Sequence, residues 1–197
     1  MVFMKVVVAI AVAGVLTSAA VANPTREQAA TFQKKLEQIL LNSESRSQRA
    51  RETAVTEGEV NSYLRFSAGD QVPVGVTEPS IGIAGQGRLN GRAIVDLDVI
   101  RQKRGSGGLF DPMSYLTGRL PITASGVLET HQGRGKFTLE TAAISGVPIP
   151  KSLLQEIVSY YSRSGDFPNG INIDDPFDLP AEIQKIDVQP GRATIVQ

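Results

Sequence analysis

The sequence predicts an α+β fold, a curved antiparallel sheet of about six strands in three hairpins set against two or three helices. Two observations carry this. Alternating apolar and polar runs flank a turn dipeptide in three places, Asn90-Gly91, Gln132-Gly133 and Pro190-Gly191. Three other stretches carry apolar residues at helical spacing behind a helix-start signal, at Thr25, Thr56 and Pro150.

The N-terminus reads as a targeting segment. Lys5 supplies a positive charge, Val6 to Leu16 an apolar run, and Ala20-Val21-Ala22 the small residues of a cleavage site. Cleavage after Ala22 leaves Asn23 as the new terminus and a periplasmic or otherwise extracytoplasmic protein. An uncleaved anchor is the weaker reading, because Val6 to Ala22 falls short of the ~20 residues that span a bilayer. The chain thus divides into a signal peptide (1–22), an N-terminal helix with a basic arm (23–55), and a helix-on-sheet domain (56–197).

Thr25 with Gln28 has the form of a capping box, and Phe32, Leu36, Ile39 and Leu40 make the stripe of the helix behind it. Ser43 to Arg51, with Arg46, Arg49 and Arg51, reads as a solvated basic arm that extends the helix and offers peripheral contact with a membrane surface. Thr56-Glu57-Gly58-Glu59 caps a second helix with Val60 and Leu64 on one face and Tyr63 beside them, ended by Gly69-Asp70. Val72 to Pro79, with two prolines, reads as an extended edge or lead-in.

Ile81 to Ile100 forms the first hairpin. A two-residue Asn90-Gly91 loop would set Ile83 opposite Asp98 and scatter apolar residues over both faces. A Leu89-Asn90-Gly91 loop sets Ile81 and Ile83 against Val99 and Leu97, and Gly85 and Gly87 against Val95 and Ala93. The other face then holds Gln86, Arg88, Arg92, Asp96 and Asp98, with the acids and arginines as cross-strand ion pairs. Glycines on the apolar face let a packed helix or a long apolar ligand approach the backbone.

Arg101 to Gly108 reads as a flexible basic loop, and Phe110 to Thr117 as one helical turn. In the second hairpin, Leu120 to Ile144, a Gln132-Gly133 turn pairs Leu128 with Phe137, Gly126 with Leu139, Ala124 with Thr141 and Ile122 with Ala143, and sets Glu129 opposite Lys136. Ile149-Pro150-Lys151 opens a third helix with Leu153, Leu154, Ile157, Val158 and Tyr161 as its stripe and Ser164-Gly165 as its stop. Asp166 to Pro180 is turn-rich and mostly extended. Pro190-Gly191 then pairs Val188 with Ala193 and Ile186 with Ile195.

The chain has 20 basic and 20 acidic residues, no Cys, no Trp and one His. Zero net charge argues against a nucleic-acid partner. The absence of Cys removes disulfides, thiolate metal sites, a cysteine nucleophile and a lipidated cysteine, so the core alone must hold the fold. His131 sits at a hairpin tip without an evident nucleophile. Asp96/Asp98 and Asp174/Asp175 read as ion pairs and a turn; calcium would need about 6–8 oxygens. Gly82, Gly85 and Gly87 lie inside a strand and lack the order of a phosphate cradle, and Ser125 lies mid-strand. Neither an enzyme, a cofactor nor a metal is expected. What remains is an apolar slot between helix and sheet, with Val60, Leu64, Ile83, Leu97, Leu139, Leu153 and Ile157 as candidate lining and a lipid or other apolar molecule as ligand. The alternative is a non-enzymatic envelope scaffold with a filled core, docking through Arg46 to Arg51 and Arg101 to Arg104. Oligomeric state is left open.

The order of pieces carries a resemblance. A Thr-Glu-x-Glu-Val-Asn-x-Tyr-Leu helix start (Thr56 to Leu64) precedes a long glycine-bearing hairpin. A second hairpin ends in Ala143-Ile144-Ser145-Gly146-Val147-Pro148-Ile149-Pro150 and runs into a helix, and Phe177-Asp178-Leu179-Pro180 leads to the last hairpin. This resembles the small extracytoplasmic bacterial proteins of the tubular lipid-binding (TULIP-like) group, such as the LmeA-like and YceB-like families. The resemblance implies a half-TULIP-like architecture, a long helix wrapped by a curved sheet with a lipid slot between, and no shared catalytic residues. YceB-like members resemble lipoproteins, whereas this chain has no cysteine to lipidate.

Overall fold

A computed structural model describes residues 23–45, 49–104, 117–163 and 167–197. The expected signal peptide, Arg46 within the basic arm, the helical turn from Phe110 and the Ser164-Gly165 stop lie outside the described residues. The fold is α+β. In chain order its elements are α1 (Arg26–Glu44), β1 (Glu52–Thr56), α2 (Glu57–Phe66), a 3-10 turn (Gly69–Gln71), β2 (Val76–Gly85), β3 (Arg88–Asp96) and α3 (Leu97–Arg104). There follow β4 (Arg119–His131), β5 (Arg134–Ile144), β6 (Val147–Pro148), α4 (Lys151–Ser162), β7 (Phe177–Asp178), β8 (Lys185–Gln189) and β9 (Arg192–Val196).

The strands form two sheets. The larger runs β2-β3-β4-β5 with β6 and β7 on the outer edge of β5, one at each end. The smaller runs β1-β9-β8. The third hairpin has the expected pairs, Val188 with Ala193 and Ile186 with Ile195. It joins β1, a strand that sequence alone left in the basic arm, rather than the larger sheet. Segment 23–55 is thereby tied into the fold at β1 and along α1.

The first hairpin turns elsewhere than expected. Gln86 and Gly87 (φ 54° and 76°) form its two-residue loop, and Asn90-Gly91 lies inside β3, with Asn90 opposite Gly82 and Gly91 opposite Ile81. A type I′ loop needs positive φ at both positions, and Gly85-Gln86-Gly87 supplies it with Gly85 also at φ 90°. Leu97 and Val99 consequently do not pair with Ile83 and Ile81. Asp96 Oδ1 accepts hydrogen bonds from the Asp98 and Val99 amides and starts α3 there, so Arg101 to Arg104 are helical rather than loop.

The second hairpin keeps the expected Gln132-Gly133 turn and the pairs Leu128–Phe137, Gly126–Leu139 and Glu129–Lys136. Beyond Gly126 a bulge inserts Glu140, so Ala124 faces Ala142 and Ile122 faces Ile144, one residue on from expectation.

α1 and α2 pack together on the smaller sheet. Thr25 Oγ1 accepts from the Gln28 amide, but the reciprocal half of the box is missing: the Thr25 amide donates to Ser62 Oγ, which donates to Gln28 Oε1. Thr56 and Glu59 form a complete capping box on α2. The main core lies between these helices and the sheet and holds Phe32, Ile39, Val55, Val60, Tyr63, Leu64, Ala193 and Ile195. Among the described residues, no helix is long and apolar enough to cross a membrane.

Candidate functional site

The register of β2 to β5 sets one continuous apolar face. Reading across the ladder, Ile83, Leu89, Gly126 and Leu139 share a row, as do Ile81, Gly91, Ala124 and Ala142, and then Ala93, Ile122 and Ile144. Large residues gather at its two ends. Ile83 and Leu128 pack with Val188 at the turn end, and Val95, Leu97 and Ile122 pack together at the other. Between them runs a lane of small residues on three strands, Gly91 and Ala93, Ala124, and Ala142, all buried. Leu154 of α4 sits on Ala124 and Ala142, with Leu139, Ile149, Val158 and Ile173 around it.

The seven candidate lining residues do not share one cluster. Val60 and Leu64 belong to the main core under α1. Ile83 lies at the turn end of the apolar face, and Leu97 at the opposite end, buried at the start of α3. Leu139 borders the lane beside Leu154. On α4, Ile157 is buried and Leu153 half-buried. The lane residues Gly91, Ala93, Ala124 and Ala142 are not among the candidates. Their signal is small side chains at alternate positions, masked at Gly91 by its place in a turn dipeptide.

Two of the glycine gaps are filled from within the chain. A Cβ on Gly126 would lie 2.5 Å from Phe137 Cζ, and one on Gly85 would lie 2.7 Å from Pro190 Cδ. An aromatic ring and a proline, rather than a foreign molecule, make the close approach at those two points.

The opposite face of the larger sheet is polar. Arg88 donates to both carboxylate oxygens of Glu140 at 2.9 and 3.0 Å, not to Asp96 or Asp98. The bulge turns Glu140 toward Arg88. Hydrogen bonding to Arg88 holds the Glu140 carboxyl below the usual range, and the same bond raises Arg88. Ser125 Oγ lies 2.7 Å from Thr141 Oγ1. Asp98 accepts the Gly118 amide, so both expected acid partners of the arginines take up backbone amides.

His131 is exposed at the hairpin tip. Asp174 pairs with Lys151, and Asn172 folds the Asp174-Asp175 turn with hydrogen bonds to both residues. Among the described residues, no group of three or more His, Asp or Glu side chains is placed to hold a metal ion.

No family model matches the sequence, and no curated protein matches it.

Proposed function

We propose that this protein is a non-enzymatic, extracytoplasmic binder of an apolar ligand, a phospholipid or glycolipid acyl chain held along the small-residue lane beneath α4. The observation that supports this reading is the shape of the apolar face, bulky at both ends and floored by Gly91, Ala93, Ala124 and Ala142 between. The lane crosses β3, β4 and β5, about 10 Å at the spacing of neighbouring strands, with Leu154 seated on it. Each acyl methylene buried there in place of Leu154 would be favourable by about 0.8 kcal/mol. Export through the expected signal peptide would put the protein where envelope lipids are available.

Native mass spectrometry of the protein purified without detergent from the envelope that makes it tests the reading. A bound mass that extracts into organic solvent is expected. Ala142→Phe, which fills the lane, is expected to abolish uptake of a fluorescent fatty acid while the fold persists by circular dichroism. An apo mass together with no uptake by the unmodified protein overturns the proposal.

The filling of Gly85 and Gly126 by Pro190 and Phe137 favours a second reading, an envelope scaffold with a closed core. Its expected result is a ligand-free protein that retains a specific partner, lost when Arg49 is replaced with Glu.

A further inference from the structure

A positive corner forms where the chain enters the fold. α1 and α2 run antiparallel, as the Lys35–Glu59 bond at one end and the Thr25–Ser62 bond toward the other require. This brings Arg26, the first residue of α1, beside Phe66, the last of α2. The Arg26 guanidinium carbon lies 5.1 Å from the Phe66 ring centroid and that of Arg65 5.8 Å. Phe66 stays 36% exposed between them.

Three features mark this corner beside its two cation–π contacts. A large aromatic is left at the surface. A cation occupies the N-terminal end of a helix, where the macrodipole disfavours it. Among the described residues, neither Arg26 nor Arg65 has a carboxylate within ion-pair distance. The apolar run from Val6 to Ala22 joins the chain just before this point, at Asn23.

We infer that Arg26, Arg65 and Phe66 form a docking corner for an anionic phospholipid surface. The guanidiniums take lipid phosphates, for which a planar fork of donors is suited, and the ring enters the headgroup boundary between them. The corner acts without the N-terminal apolar run, so the processed protein keeps it. It is independent of whether a ligand occupies the lane.

The chain has no Trp, so Phe66→Trp creates a single fluorescent reporter. The expected result is a blue shift of its emission, with co-sedimentation, on phosphatidylcholine vesicles containing phosphatidylglycerol and not on phosphatidylcholine alone. Replacing both Arg26 and Arg65 with Glu is expected to weaken vesicle binding by at least about thirtyfold. A charge-matched control replaces Arg134 and Lys185 with Glu, two exposed cations paired locally with Asp178 and Asp187, and is expected to leave binding within about threefold. No blue shift, or equal loss in the control, overturns the inference.

Discussion

The Asn61 side chain is hydrogen-bonded twice to the Ile81 backbone, its Oδ1 accepting from the amide and its Nδ2 donating to the carbonyl, both at 2.7 Å. A helix residue thus stands where a neighbouring strand would, on the outer edge of β2. Glu57 Oε2 accepts the Ile83 amide, and the Ile83 carbonyl accepts the Gly191 amide. Thr130 Oγ1 does the same for the edge of β8, accepting from the Ile186 amide and donating to its carbonyl. Two sheet edges that would invite other strands are closed by side chains; Asn61 and Glu57 tie α2 to the larger sheet, and Thr130 ties the two sheets together.

Asn61→Ala would strand an amide and a carbonyl in a half-buried site. Unsatisfied backbone groups cost about 1–3 kcal/mol each, so a loss of about 2–4 kcal/mol is expected in urea unfolding. Asn61→Asp sets a carboxylate oxygen against the Ile81 carbonyl at a buried position and should cost at least as much at neutral pH.

Glu59 ties pH to stability. Burial alone would push its carboxyl up, but hydrogen bonds from Lys35 and the Thr56 amide, with the Lys35 charge, outweigh this and hold it below the ordinary range. A lowered folded value means the contribution is fully present above the unfolded value of about 4.3 and is lost as pH falls through the folded value. Lys35→Met removes the Lys35 hydrogen bond and charge but leaves the bonds to Thr56. The Glu59 carboxyl is then expected to titrate higher than in the unmodified protein by NMR, with a stability loss at neutral pH of about 1–3 kcal/mol.

Gly126 accepts no side chain. A Cβ there would meet the Phe137 ring and the Thr138 carbonyl, each at 2.5 Å. Gly126→Ala should cost about 1–3 kcal/mol. Phe137→Leu in the same chain should recover only part of that, because the carbonyl remains. A double-mutant cycle by chemical denaturation reads the coupling directly.

Gln86 holds a left-handed conformation that Asn tolerates better, and it precedes a glycine. Gln86→Asn is expected to raise the thermal midpoint, with a gain of about 0.5–1 kcal/mol. The same Asn-Gly pair at positions 90 and 91 contributes nothing to the turn.

Local pattern revealed much of this fold. Thr56 with Glu59, Gln132-Gly133 and Pro190-Gly191 each act within a few residues, and each stands in the structure where the sequence placed it. Asn90-Gly91 is the stronger dipeptide for a hairpin loop, yet three residues with positive φ at Gly85 to Gly87 took that role. The expected and observed registers differ by an even number of residues. Ile81, Ile83, Ala93 and Val95 therefore occupy the apolar face in both, and only the partners change. Leu97 read as strand because its run is apolar; Asp96 as a cap outweighed the alternation. The candidate lining dispersed because Val60 and Leu97 share hydrophobicity but not a neighbour, and which apolar faces meet is decided by contacts between distant segments. The pairing of β1 with β9 has no local signal at all.

That pairing has a temporal side. Among the described residues, β1 is the first strand in chain order and β9 the last. Gln197 donates from its side chain to the carbonyls of Ile39 and Ala181, and its amide oxygen accepts from Asn42, 155 residues earlier. The helices α1 and α2 can complete their packing on the smaller sheet only once β9 is in place, so the core they share with it closes late.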